Sequence, residues 1–188
     1  MNDFTIYFYT RVSKDSANSL KELFKKIKTE STLEKITIYI SSTGGDVEAA
    51  FEICNFLQQE QMNANVSIVN VAIVGSAATI VFLSCDNRYT YEDSFFMFHE
   101  PYYENNLKYS DFIKTPNFDT TEKIYTLSEK YFNTIESRLN NSQRSLEIRN
   151  CIGAKDITLL GMDAPTYGIA NIIPHPVKFT RDKVFAIY

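Results

Sequence analysis

Apolar positions along the chain fall into two alternating periods. Ile6 to Tyr9 form a short apolar and aromatic run, and the following SANSLKELFKKIKTE carries Leu20, Leu23, Phe24 and Ile27 at helical spacing with lysines opposite. The pattern predicts a strand and then an amphipathic helix, with MNDFTIYFYTRV as an edge-to-core strand. KITIYIS repeats the β-branched pattern, and beyond the turn STGGD the apolar residues of VEAAFEICNFLQQEQ recur at three and four. ANVSIVNVAIV predicts another buried strand, GSAATIVFLSC a short apolar helix, and TYEDSFFMFHE a strand ending in His99. Such alternation implies an α/β layer of parallel strands covered by helices.

From Tyr102 the period is lost, and YYENNLKYSDFIKTPNFDTTEK reads as an excursion or loop. Thr121 to Asn141 then form a helix candidate with Ile124, Leu127, Tyr131, Ile135 and Leu139 on one stripe, for which the core is the expected destination. LEIRNCIGAKDITLLG is expected to hold a second short helix, MDAPTYGIANII a helix ending at Gly168 followed by a strand, and PHPVKFTRDKVFAIY a terminal extension.

The length of 188 residues, 44% of them hydrophobic, suits one domain over residues 1–188. Lys and Arg number 19 against 23 Asp and Glu, so no basic surplus exists to neutralise a phosphate backbone, and nucleic acid is excluded as an expected partner. Cys54, Cys85 and Cys151 lack metal-type or redox-type spacing and are expected to be buried thiols in a reducing compartment. The start of the chain lacks the basic-then-apolar pattern of an export signal, and a cytoplasmic location is expected. VSIVNVAIVGSAATIVFLSC is interrupted by Asn70, Gly75, Ser76 and Thr79, so it reads as a strand-to-helix break, not a membrane span.

Two stretches carry candidate chemistry. The paired glycines of SSTGGDVEAA, between a strand and a helix, permit a backbone that turns amide hydrogens toward an anion or a developing oxyanion, with Asp46 expected to cap the helix. VGSAATI and SFFMFHEP offer a hydroxyl, Thr79, and an imidazole, His99. A structural reading competes: the Thr79 hydroxyl bonds its own helix backbone, and His99 is a satisfied strand-end histidine.

These blocks, together with LGMDAPTYGIANII, resemble in order the Clp protease proteolytic subunit, ClpP, of the ClpP/crotonase superfamily. The resemblance implies an α/β fold of repeated strand-turn-helix units with a projecting handle helix, the handle being the oligomerisation excursion of residues 102–141. Ser41, Ser42, Thr43, Gly44 and Gly45 are similar to the family's Asn-Ser-Pro-Gly-Gly turn, making Gly45, or its neighbour Gly44, an oxyanion-hole donor. Gly75, Ser76, Ala77, Ala78 and Thr79 match the Gly-x-Ala-Ala-Ser motif, with threonine at the nucleophile position and the Ile80 amide as second donor. Ser76 occupies the motif's variable position. His99 matches the base, with Glu100 where the family has glutamine. Ile152 falls where the family's orienting aspartate stands, leaving Asp156 as the acid if the loop shifts.

The implied activity is hydrolysis of unfolded polypeptides or peptides through an acyl-enzyme, with Thr79 attacking, His99 transferring the proton and Asp156 orienting it. The implied partners are further copies of the chain in rings and an ATP-driven unfoldase; no metal or organic cofactor and no membrane is implied. The alternatives are a catalytically impaired structural or regulatory subunit and a crotonase-like acyl-thioester enzyme.

Overall fold

The computed structural model describes residues 3–30, 35–103, 108–114, 118–139, 146–174 and 183–188. Strand β1 (Asp3–Phe8) leads into helix α1 (Lys14–Glu30), β2 (Lys35–Ser42) into α2 (Val47–Glu60), and β3 (Asn65–Gly75) into the short α3 (Ala78–Leu83). Strands β4 (Asn87–Thr90) and β5 (Phe95–Phe98), helices α4 (Tyr109–Lys114) and α5 (Phe118–Leu139), and strands β6 (Ile157–Leu160), β7 (Asn171–Ile172) and β8 (Lys183–Ile187) follow. The periodicity that predicted α1 works as expected: Ala17, Leu20, Phe24 and Ile27 are buried. Ser13 starts the helix by exchanging hydrogen bonds with Ser16, each amide donating to the other residue's hydroxyl. Asp46 caps α2, its carboxylate accepting from the Ala49 amide at 2.7 Å.

The sheet runs β6-β5-β3-β2-β1-β8, with β4 also pairing β3 and β7 pairing β4. All pairings are parallel except β5 with β6. Strand β3 forks: residues Ser67 to Asn70 pair with β4, and Ile73 to Gly75 pair with β5. Asn70 sits at the fork, fully buried, its Nδ2 donating to the Phe95 carbonyl at 2.9 Å and its Oδ1 accepting from the Ala72 amide at 3.2 Å. The polar interruption in the apolar run is therefore what lets one strand serve two neighbours.

Four expectations are corrected. The segment ending in His99 is two strands, because the Tyr91–Ser94 turn separates β4 from β5. The supposed second short helix is one 3-10 turn, Ile148–Cys151, followed by the edge strand β6. The helix expected before Gly168 is limited to a 3-10 turn at Gly161–Asp163 and non-helical turns. The terminal extension ends in β8, which pairs with β1 and makes β1 an interior strand; residues 175–182 lie outside the described set.

The excursion contains α4 as well as α5. On α5, Ile124, Tyr131, Phe132, Ile135 and Leu139 are buried in the chain's own core. Three contacts spaced along α5 hold it to the body: Lys123 with Glu48 at 2.9 Å, Lys130 over the Phe51 ring at 4.1 Å, and Arg138 with Asp86 at 3.1 Å. No helix among the described residues is long and apolar enough to cross a membrane.

Candidate active site

The ends of β2, β3 and β5 bring the three motif segments together. Ser42 pairs with Val74 and Gly75 with Met97, and the Ser76 amide donates to the Met97 carbonyl at 2.9 Å. Gly44 has φ +100° and leaves no room for a side chain, since a Cβ there would lie 2.6 Å from the Ser76 Cβ and 2.7 Å from the Gly75 carbonyl oxygen. Gly45, at φ +149°, is pressed against Val12 from the other side, its Cβ position only 2.1 Å from the Val12 carbonyl oxygen. The Val12 amide donates to Gly44 O, and the Asp46 amide donates to Val12 O, both at 2.9 Å. The Gly45 amide itself donates no hydrogen bond among the described residues.

Ser76 adopts φ +52°, a left-handed conformation for a residue with a side chain, and turns β3 into α3. Thr79 follows at 1% exposure. Its amide donates to the Ser76 carbonyl at 2.9 Å and its hydroxyl donates to the same oxygen at 2.6 Å. The structural reading of the hydroxyl thus describes the ground state. The Ile80 amide donates to Ala77 O at 3.2 Å, within the same turn.

His99 is half-buried, with its ring 4.8 Å from the Tyr102 ring. Its Nδ1 lies 2.6 Å from the Glu100 carbonyl oxygen. A carbonyl only accepts, so the contact requires the hydrogen on Nδ1, which in the neutral ring leaves the lone pair on Nε2. That is the tautomer a general base needs, set here by a backbone oxygen. Asp156 is exposed, and Ile152 packs against the core. No hydrogen bond among the described residues joins Thr79 to His99 or His99 to Asp156.

The sequence matches the Clp protease family profile over residues 1–176. The chain belongs to the Clp protease family. This Clp protease family chain is 29% identical over 92 residues to the ATP-dependent Clp protease proteolytic subunit 2 of Borreliella burgdorferi, an alignment covering 48% of it and 46% of the relative. The protein of the same name in Treponema denticola is 26% identical over 103 residues, covering 54% and 50%. The chain spans about half the length of the curated relatives it matches. A mutant ClpP1 from Listeria monocytogenes superposes with a TM-score of 0.71 over 90% of each chain at 24% identity, which shows the shared α/β fold.

Two residues to which the motifs gave no role in the site lie beside it in this Clp protease family chain. Tyr131, from α5, is 2% exposed. Its phenol oxygen faces the Thr79 hydroxyl and the His99 backbone without a well-formed hydrogen bond, and burial pushes its pKa up. Tyr131 was legible only as a core position. Glu100, also 2% exposed, was noted in the sequence only as standing where the family has glutamine, and nothing there indicated its partners.

Proposed function

We propose that this chain is a ClpP-like peptidase subunit that cleaves peptide bonds in unfolded polypeptides or peptides through a hydroxyl nucleophile and a histidine base. The supporting observation is the convergence of the Gly44–Gly45 turn, the Ser76–Thr79 turn and His99 at adjoining strand ends. In this reading Thr79 rotates its hydroxyl from the Ser76 carbonyl and attacks the scissile carbonyl while His99 Nε2 takes the proton. The amine leaves with that proton, and water then hydrolyses the threonyl ester with His99 again as base. The Gly45 amide receives the oxyanion, joined by Ile80 if the first turn of α3 loosens. The Glu100 carbonyl holds the imidazole in the described arrangement, and Asp156 takes that part only after the 153–156 loop moves inward. Assembly into rings through residues 102–141 as a handle, feeding by an ATP-driven unfoldase, and a cytoplasmic location belong to the same proposal.

A non-cleaving structural subunit is the second reading, favoured by the Thr79 hydroxyl bonded to Ser76 O and by the apolar Ile152 at the family's acid position. Cleavage of unstructured fluorogenic peptides and covalent labelling by a fluorophosphonate, measured in wild type, T79A and H99A, separate the two. The peptidase reading expects both signals in wild type and neither in the variants. Labelling unchanged in T79A removes Thr79 as nucleophile, and a silent, folded wild type supports the structural subunit.

A further inference from the structure

The residue after His99 is a buried carboxylate, and it is bonded to two distant parts of the chain. Glu100 Oε2 accepts from the Ser110 amide, in the first turn of α4, at 2.9 Å. Its Oε1 accepts from the Gly153 amide, one residue past Ile152, at 3.2 Å, and lies 3.7 Å from Lys108 Nζ. Burying a carboxylate costs several kcal/mol unless donors replace its water, and here two amides and an ammonium do so. Lys108 closes a circuit: it also stands 5.2 Å from the Tyr102 ring, which packs on the imidazole of His99.

The main chain of the same residue supplies the only acceptor seen for His99 Nδ1 among the described residues. We propose that Glu100 is the positioning residue of the His99 imidazole: its carboxylate, bonded to the Ser110 and Gly153 amides, locks the orientation of its own carbonyl, which fixes the Nδ1–H tautomer that a triad acid would otherwise fix. This deepens the peptidase reading and rests on His99 being its base. Glutamine has one acceptor oxygen where the site presents two amide donors on separate oxygens, so it cannot reproduce the lock.

The test is nitrogen-15 NMR of the imidazoles in wild type, E100Q and S110P, with H99Q identifying the His99 signals. S110P removes one donor at a helix first turn, where proline is tolerated, and serves where E100Q does not fold. Wild type is expected to show His99 protonated at Nδ1, and both variants are expected to shift it toward the Nε2–H form. Wild type protonated at Nε2, or a folded variant that keeps the wild-type tautomer, overturns the proposal; a purely structural Glu100 lowers the melting temperature and leaves the tautomer unchanged. In the labelling assay E100Q is expected to react about 100-fold more slowly, the scale of a lost general base. If wild type is not labelled at all, the peptidase reading fails while the tautomer result still decides the role of Glu100.

Discussion

Gly44 and Ser76 touch across two strand ends so closely that a methyl group on Gly44 would sit 2.6 Å from the Ser76 Cβ. Both residues have positive φ, so neither turn can relax without displacing the other. Gly44→Ala is expected to destabilise the fold by about 3 kcal/mol or more, combining overlap with left-handed strain. Urea denaturation followed by circular dichroism measures this, and a loss below about 1 kcal/mol would show that the turns are not mutually braced.

Thr79→Ser removes the methyl group that restricts the side chain. In the peptidase reading, the freer hydroxyl reaches the substrate carbonyl and His99 more readily. Peptide cleavage by T79S is expected to exceed wild type by about tenfold. Equal or lower turnover would mean that the branched side chain is not what limits the site.

Ile152→Asp places a carboxylate in the segment that Glu100 already tethers to the His99 strand through Gly153. An acid behind the imidazole stabilises its charged form, and kcat/KM is expected to rise by about 100-fold in a T79S background. Steady-state kinetics of the single and double variants decide it. A fall in activity with folding intact would indicate that the Glu100 carbonyl is the better partner.

Tyr131→Phe deletes a buried hydroxyl that lacks a well-formed hydrogen bond. Removing an unsatisfied polar group is expected to leave stability unchanged or raise it by about 1 kcal/mol. A loss greater than about 1 kcal/mol would show that the phenol is bonded to Thr79 or the His99 backbone in solution.

Burial pushes the Cys85 thiol up to about 12 and the Cys151 thiol up to about 11, and raises Cys54 as well. Folded-state values raised above the unfolded ones mean that the native chain holds its thiol protons longer, so stability is fully present at neutral pH and falls once the unfolded thiols ionise, above about pH 8.5. Thiol titration at pH 8 is expected to find none of the three reactive in the native protein and all three after denaturation. Rapid reaction of a native thiol would contradict this packing.

The elements from β1 to α3 were legible because each shows one clean period between glycine or polar breaks. Strand β6 was not: ITLL is a short apolar run without a period to separate helix from strand, and only its pairing with β5 decides. VFAI likewise lacked a turn signal and became a strand because β1 had a free side. In the site, the three segments and the contrast between Thr79 and the family serine could be read from residue types. The Glu100 carbonyl beside Nδ1 and the approach of Tyr131 could not, since both depend on distances between backbone groups and on how α5 settles on α3.

The parallel pairing of Phe4–Phe8 with Lys183–Ile187 joins segments separated by almost the whole chain. During synthesis β2 covers one side of β1 early, but the other side has no partner until β8 leaves the ribosome. Until β8 pairs, that side of β1 is an open hydrogen-bonding edge on which the strand of another chain can dock, so closure of the sheet by β8 also removes a site of misassociation.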